Sequence, residues 1–224
     1  MRRTVLAILA ALAMTSPAHA GDPKLLTYHD ILAAPHGPAG RHVAYGSQAL
    51  QFGELTLPAG RGPHPVVVMI HGGCWRADLP GLELQAPLVQ ALAAHGWAVW
   101  NLEYRRIGHE GGGYPGTFTD VATGIDALRD LAKADHLDLS RVVFMGHSAG
   151  GHLAAWAAAR AKIPQDSPLW SEDPLTPSAV VTLAGINDLE AYHDTGPDAC
   201  GGPGVVESLV GAQGRTAPYA DTSP

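Results

Sequence analysis

The chain has 224 residues, 46% of them hydrophobic and 16% charged, and its formal net charge is −7. This length and apolar content are enough for one domain with a buried core, or for a large part of a bigger domain. The negative charge argues against a nucleic acid or an anionic membrane surface as a partner, since both require a basic face.

The N-terminal segment has the pattern of a secretory signal peptide. Arg2 and Arg3 precede an apolar run at 5–14, and Ala18 and Ala20 provide the small residues that a signal peptidase recognises. The apolar run is too short to form a stable membrane anchor. We therefore expect a signal peptide over 1–20, a mature domain over 21–224 and export to the periplasm or the medium.

After this segment, strand and helix patterns alternate. An antiparallel strand pair is predicted at 42–46 and 52–58, and the continuous apolar run PVVVMIHGG (65–73) is typical of a strand buried in a parallel sheet. Further strands are predicted at 97–104, 141–146 and 178–185, and helices at 82–95, 117–135 and 149–162. This alternation predicts an α/β fold with a mostly parallel sheet, in which ligands bind at the carboxyl ends of the strands.

Two local interactions are also predicted. Thr117 and Asp120 have the spacing of a capping box, so we expect reciprocal hydrogen bonds between them at the start of the helix at 117–135. Arg105 and Arg106 follow the strand at 97–104 and are expected to pair with Glu103 or with nearby Asp residues. Binding of a substrate carboxylate by these arginines is the alternative.

Ser148 stands between two glycines, where a strand pattern gives way to a helix pattern. The segment GHSAG (146–150) matches the GxSxG motif of a nucleophile elbow, in which the turn is strained and the neighbouring chain leaves no room for a Cβ. GxSxG alone is a weak signal, but here the required strand precedes it and the required helix follows it. The alternative is a glycine turn that only closes the strand.

A second motif, HGGCW (71–75), lies at the end of the strand predicted at 65–73. A flexible glycine turn at this place offers backbone N–H groups to a ligand, which is what an oxyanion hole requires.

Together, HGGCW, the segment EYRR (103–106) with the following GGGYPGTFTDV (111–121), and GHSAGGH (146–152) resemble α/β-hydrolase esterases of the kynurenine formamidase and carboxylesterase type. The similarity extends from about residue 45 to the last residue.

This resemblance implies a role for each motif. Ser148 would be the nucleophile that accepts the acyl group. The backbone N–H groups of Gly73, Cys74 and Ala149 would hold the oxyanion, and His71 would support the loop rather than act as a base.

Members of this family complete the catalytic triad with an acid after a seventh strand and a histidine after an eighth. The strand at 178–185 is the sixth, and only a glycine-rich loop, a helical pattern at 203–212 and the terminal YADTSP (219–224) follow it. We therefore expect the last two strands to be missing, and with them the usual acid and base.

Other residues are candidates for these roles. Asp188 follows the sixth strand, where some relatives carry their acid, and His193 would have to fold back over Ser148 to act as a base. For both, a polar surface loop is the alternative. His152 lies one helical turn after Ser148, but a nucleophile elbow points the serine away from its own helix. His147 is expected to pack at the turn.

Cys74 and Cys200 follow the third and the sixth predicted strand, so both are expected at the carboxyl edge of the sheet. In the usual strand order for this fold one strand separates theirs, a gap of roughly 10 Å that loops can bridge. Export to an oxidising compartment would permit a disulfide. A disulfide and two free thiols both remain open.

No cofactor or metal is predicted. The twelve histidines include no HExxH motif, no Cys-x-x-Cys spacing is present, and GGGYPG (111–116) lacks the ending of a phosphate loop. That loop is expected to line the entrance of the site, with Tyr114 and Pro115 as an apolar wall. Trp97, Trp100 and Trp156 are expected in the core rather than in contact with substrate, and for Trp75 a substrate contact is left open.

The sequence thus predicts a serine hydrolase of small carboxylic esters or aryl amides, with an acyl-enzyme on Ser148. Because the usual triad Asp and His are not found, the alternative is a catalytically silent protein, either a remnant of a longer hydrolase or a domain retained for binding.

Overall fold

The computed structural model describes residues 25–196 and 198–224, so the predicted signal peptide lies outside the described residues. Six strands form one sheet. They are β1 (Arg41–Ala44), β2 (Phe52–Thr56), β3 (His64–Ile70), β4 (Ala98–Leu102), β5 (Leu137–His147) and β6 (Ala179–Leu183).

The sheet has the strand order β1-β2-β4-β3-β5-β6. β1 and β2 form an antiparallel pair and β2 runs antiparallel to β4, whereas β3 pairs in parallel with β4 and β5, and β5 pairs in parallel with β6. In this register Val68 of β3 lies between Trp100 of β4 and Phe144 of β5. The predicted α/β fold is confirmed, and the carboxyl ends of β3 to β6 lie along one edge.

Helices connect the strands, and among those described none is long and apolar enough to cross a membrane. They are α1 (Tyr28–Ala33), α2 (Ala86–Ala94), α3 (Gly116–Asp126), α4 (Leu128–Asp135), α5 (Ala149–Ala159), α6 (Leu189–Thr195) and α7 (Pro203–Val210). Short 3₁₀ turns precede α2, follow α5 and precede α7, at Leu82–Gln85, Arg160–Lys162 and Asp198–Cys200.

The central strands are apolar because both of their faces are covered. Alternate residues of a strand point to opposite faces of the sheet. Val66, Val68 and Ile70 of β3 accordingly belong to the larger core cluster, which also contains residues of α3 and α5. Val67 and Met69 belong to a smaller cluster with α2 on the other face.

The predicted capping box at the start of α3 is wrong. The helix begins at Gly116, and Pro115 at the N-cap position makes no side-chain cap. The hydroxyl of Thr117 donates instead to the carbonyl oxygen of Arg105, at 2.6 Å. The carboxylate of Asp120 accepts two hydrogen bonds from the Arg105 guanidinium, each at 2.7 Å. Asp120 therefore forms the ion pair predicted for Arg105 and does not cap the helix.

β6 is an edge strand. Within the described residues no strand pairs with its outer edge, and none follows it at 184–196 or 198–224. Val180 and Leu183 are 38% and 42% exposed. The chain after β6 forms α6 and α7, which contribute Leu189 and Leu209 to the larger core cluster.

Candidate active site

Ser148 lies at the sharp turn that joins β5 to α5. Its backbone has φ 53° and ψ −120°, and such a conformation costs a non-glycine residue about 1–3 kcal/mol, so the surroundings must hold it. A Cβ on Gly146 would overlap the carbonyl oxygen of Gly150, and one on Gly150 would overlap that of Ile70. This is the geometry of a nucleophile elbow, and it leaves Ser148 partly exposed at the carboxyl edge of the sheet.

The loop after β3 lies directly against this turn. A Cβ placed on Gly72 would be 2.8 Å from the carbonyl oxygen of His147 and 3.4 Å from the Cβ of Ser148. A side chain at this position would overlap the backbone carbonyl of His147, the residue before the serine, so glycine fits there. The structure therefore brings the HGG segment and Ser148 together, as the two motifs predict. The side chain of His147 is exposed, rather than packed at the turn as expected.

The same loop contains three consecutive residues with positive φ angles, 98° at Gly73, 50° at Cys74 and 55° at Trp75. Left-handed backbone is costly for residues that carry a Cβ, so tertiary contacts must hold the loop in this shape. Ala149 begins α5, where the first N–H groups have no partner within the helix. The predicted oxyanion donors thus belong to two elements that pack side by side.

His71 supports the loop from below. It is fully buried, its Nε2 lies 3.0 Å from Glu103 Oε1 and its Nδ1 lies 2.8 Å from the Gly72 carbonyl oxygen. The ring stacks on Tyr104, whose hydroxyl donates to the His71 carbonyl at 2.8 Å. Burial alone would raise the pKa of the Glu103 carboxyl, but the hydrogen bond with His71 and the charge of Arg106 outweigh it and hold this pKa below its ordinary value. His71 is thus committed to structure.

A disulfide joins Cys74 and Cys200, with their Cα atoms 5.3 Å apart. The sequence leaves a disulfide and two free thiols open, and the structure contains the disulfide. As predicted, one strand, β5, separates β3 from β6. The Arg76 side chain adds a 3.4 Å hydrogen bond to the Cys200 carbonyl and pairs with Asp78. The loop that carries the predicted oxyanion donors Gly73 and Cys74 is therefore tied to the chain beyond β6.

Trp75 lies in the core and not on the surface, since its side chain has no exposed area. Its indole Nε1 donates to Nδ1 of His152 at 3.2 Å, and Nε2 of His152 lies 2.8 Å from the carbonyl oxygen of Thr222. Burial lowers the pKa of His152 to about 4, although the hydrogen bond with Thr222 acts in the opposite direction. His152 is therefore neutral at pH 7 with both nitrogens engaged, which agrees with its rejection as a base.

The side chains of Asp188 and His193 are engaged elsewhere. Asp188 caps α6, where its carboxylate accepts from the backbone N–H of Ala191 at 2.9 Å. The two ring nitrogens of His193 lie 2.8 Å from Asp194 and 3.1 Å from Glu207, and these hydrogen bonds raise the pKa of His193. Among the described residues neither side chain makes a hydrogen bond to Ser148.

The predicted entrance loop packs on the end of the chain. The hydroxyl of Tyr114 donates to Asp221 at 3.1 Å, and the guanidinium of Arg215 lies 3.8 Å from the centre of the Tyr114 ring. These residues, with Ser167, line a cavity of about 380 Å³. No group of three or more His, Cys, Asp and Glu side chains in the described ranges could hold a metal ion.

Two supports of the site are not predicted from the sequence, namely the contact of Glu103 with His71 and that of Thr222 with His152. The sequence does contain a sign of the first contact. Glu103 follows a strand whose residues are all buried, and a buried carboxylate needs a cationic or hydrogen-bonding partner. Thr222 offers only its backbone carbonyl to His152, and no residue pattern marks such a contact.

A mostly parallel sheet with helices on both faces, and a serine at a strained strand-to-helix turn beside a glycine loop, define an α/β-hydrolase. Residues 54–222 match the family model described as BD-FAE, and the chain belongs to this family.

The chain is also similar to proteins that are named as esterases. It is 31% identical to Esterase LipC of Mycobacterium tuberculosis over 155 residues, which are 67% of this chain and 37% of LipC. It is 34% identical to the isoprenylcysteine alpha-carbonyl methylesterase ICME of Arabidopsis thaliana over 119 residues, 52% of this chain and 27% of that protein. The chain thus spans about a third of the length of these curated relatives.

Among solved structures, the crystal structure of an inhibited esterase B from Lactobacillus rhamnosis has a TM-score of 0.72 and 22% sequence identity, covering 88% of this chain and 65% of that one. At this identity the likeness concerns the fold.

Proposed function

We propose that this chain is a serine hydrolase of small carboxylic esters or aryl amides that acts through an acyl-enzyme on Ser148. The observation that carries the proposal is the contact of the strained Ser148 turn with the loop after β3, where a Cβ on Gly72 would be 3.4 Å from the Ser148 Cβ. A serine at such a turn and a neighbouring glycine loop that can present backbone N–H groups would supply the nucleophile and the oxyanion donors of acyl transfer.

The reaction begins when Ser148 Oγ attacks the carbonyl carbon of the substrate and passes its proton to a solvent water, which returns a proton to the leaving group in the next step. The N–H groups of Gly73, Cys74 and Ala149 hold the oxyanion of the tetrahedral intermediate. The intermediate collapses, and the alcohol or amine leaves with a proton while the acyl group stays on Ser148. Water then attacks this acyl-enzyme, and the carboxylic acid is released as Ser148 regains its proton.

Esters are the substrate class to test first. LipC and ICME are named as an esterase and a methylesterase, and these names support an ester rather than an amide as the substrate of this chain. The likeness to kynurenine formamidases, which points to aryl amides, stays a prediction.

The experiment is covalent labelling with a fluorophosphonate probe, followed by mass spectrometry of the modified peptide. We expect labelling of Ser148 in the wild type and none in Ser148→Ala. The matched control is Ser208→Ala, because Ser208 is an exposed serine whose hydroxyl donates to the Gly204 carbonyl, and its loss should leave labelling unchanged. Labelling that persists in Ser148→Ala would overturn the assignment of the nucleophile.

The same assay examines His193. Since both ring nitrogens of His193 face carboxylates, we expect His193→Ala to label at the wild-type rate. A large loss of labelling in this variant would instead make His193 the base. A wild type that neither reacts with the probe nor hydrolyses p-nitrophenyl acetate would favour a catalytically silent protein.

We also propose that the protein acts outside the cytoplasm. The signal-peptide pattern at 1–20 supports this, and so does the Cys74–Cys200 disulfide, because such bonds persist in oxidising compartments. N-terminal sequencing of the protein from the periplasm or the medium should begin near Gly21. Recovery of the whole chain from the cytoplasm, beginning at Met1, would contradict export.

A further inference from the structure

The strained loop of Gly73, Cys74 and Trp75 needs contacts that hold it, and the covalent one is the disulfide of Cys74. The next residue, Trp75, is held differently. Its indole is fully buried, and an indole N–H is a donor that has no acceptor of its own. Leaving such a donor unpaired in the core is costly, so the position of its acceptor restricts where the loop can lie.

The acceptor is Nδ1 of His152, at 3.2 Å from Trp75 Nε1. His152 belongs to the first turn of α5, and its backbone N–H donates to the carbonyl oxygen of Ser148 at 3.1 Å. The same turn starts with Ala149, the proposed oxyanion donor on the helix. One hydrogen bond therefore connects the element that carries Ser148 and Ala149 to the loop that carries the other two donors.

We propose that His152 is a positioning residue, which sets the oxyanion loop relative to Ser148 through the hydrogen bond that it accepts from Trp75. This inference rests on the proposed function, because it assigns a second support to the same oxyanion hole.

The protonation of His152 fits this role. A neutral imidazole has one donor and one acceptor nitrogen, and the partner of one nitrogen decides the state of the other. Nε2 lies 2.8 Å from the carbonyl oxygen of Thr222, so Nε2 carries the proton and Nδ1 is left to accept from the indole. The carbonyl of Thr222 thus selects the only tautomer that can bind Trp75.

The imidazole ring is also fixed in orientation. The ring of Trp75 meets it edge to face, with centroids 5.4 Å apart and an interplanar angle of 83°, and Phe118 meets it at 6.0 Å and 89°. His152 and Phe118 have no exposed area. A ring that is enclosed in this way cannot turn to follow the loop. The hydrogen bond therefore fixes Trp75, and with it the loop, relative to α5.

The test uses variants that separate the hydrogen bond from packing. Trp75→Phe removes the donor and keeps an aromatic ring, and His152→Leu removes the acceptor. His152→Asn is the conservative variant, because its Oδ1 lies near the place of Nδ1 and can still accept. Trp100→Phe is the matched control, since Trp100 is equally buried but donates to the Gly124 carbonyl, far along the chain from the loop.

The readouts are kcat and KM for p-nitrophenyl acetate, measured where urea denaturation shows each variant to be folded. Removal of one oxyanion donor costs about 10²–10³ in kcat, and a displaced loop should cost less. We expect kcat to fall about tenfold or more in Trp75→Phe and His152→Leu, with KM nearly unchanged, and the double variant to lose no more than either alone. His152→Asn should recover most of kcat, and Trp100→Phe should lose stability but not kcat.

Equal kcat in the wild type and both single variants would overturn the positioning role and leave the proposed hydrolase standing. Losses that simply multiply in the double variant, or that Trp100→Phe shares, would also overturn it. If the wild type itself shows neither turnover nor labelling of Ser148, the proposed function fails and this inference fails with it.

Discussion

Cys74 and Cys200, 126 residues apart in the sequence, are joined by a disulfide whose Cα atoms lie 5.3 Å apart. The bond connects the loop after β3 to the 3₁₀ turn after α6, and β5 lies between β3 and β6 in the sheet. Because Cys74 has a φ of 50° and stands in the proposed oxyanion loop, the disulfide restrains both the chain as a whole and the site.

The first prediction concerns this bond. Replacing both cysteines, as Cys74→Ala with Cys200→Ala, should lower the free energy of unfolding by about 2–5 kcal/mol, because the unfolded chain is no longer cross-linked over a long loop. Urea denaturation of the two proteins measures the difference. Two reactive thiols in unfolded, unreduced wild type would show that the bond does not form.

The second prediction compares two glycines that each occupy the second position of a helix. Gly150 of α5 is pressed against the carbonyl of Ile70, whereas a Cβ on Gly204 of α7 would have no atom within 4 Å. Gly150→Ala should therefore destabilise the fold by about 1–3 kcal/mol or more through overlap with the backbone. Gly204→Ala should be neutral, or stabilising by up to about 1 kcal/mol, since alanine restricts the unfolded chain. Similar unfolding midpoints for the two variants would contradict the close packing of the elbow.

How far the sequence predicts the fold depends on the kind of pattern. Apolar runs place the buried strands well, because both faces of β3 and β4 are covered. β5 is predicted at 141–146 but starts at Leu137, since Asp138 and Ser140 interrupt the apolar pattern where the strand still pairs with β3. The helix predicted at 117–135 is in fact two helices with a break at Ala127. The sequence does not reveal the break, because the apolar residues keep their helical spacing across it.

The site is predicted in part for a similar reason. GHSAG and HGGCW are local patterns, so Ser148 and its loop are found from the sequence. The contacts that hold them are distant in the chain: Trp75 and His152 are 77 residues apart, and His152 and Thr222 are 70 apart. Pairing at such separations depends on the folded arrangement, which spacing alone does not reveal.

The third prediction uses the pKa of His152, which burial lowers from 6.5 to about 4. Above pH 6.5 the imidazole is neutral in both the folded and the unfolded state. As the pH falls from 6.5 towards 4, the unfolded chain takes up a proton that the folded chain refuses, so stability is lost over this range. The difference between the two pKa values corresponds to a loss of about 3 kcal/mol in the free energy of unfolding.

The measurement is the free energy of unfolding by urea between pH 7 and pH 4, in the wild type and in His152→Asn. Because asparagine does not titrate, the variant should lose less stability over this range, and the difference isolates His152 from other groups such as Glu103. The same pH dependence in both proteins would mean that His152 takes up a proton as readily in the folded chain as in the unfolded chain, so that its pKa is not lowered by burial.

The last prediction concerns the outer edge of β6. Within the described residues this edge has no partner strand, and Val180 and Leu183 are 38% and 42% exposed. An apolar strand with unpaired backbone groups is a template for pairing with another chain, whereas a lysine on such an edge opposes it. We expect residues 21–224 to self-associate or to be poorly soluble, and Val180→Lys to shift the protein towards monomer.

Leu57→Lys is the control, because Leu57 is 43% exposed but lies outside the strands, after β2. Analytical ultracentrifugation over a range of concentrations measures the effect. A wild type that stays monomeric, with a sharp cooperative melt and dispersed amide signals, would show that the exposed edge of β6 is protected in a way that its exposure does not reveal.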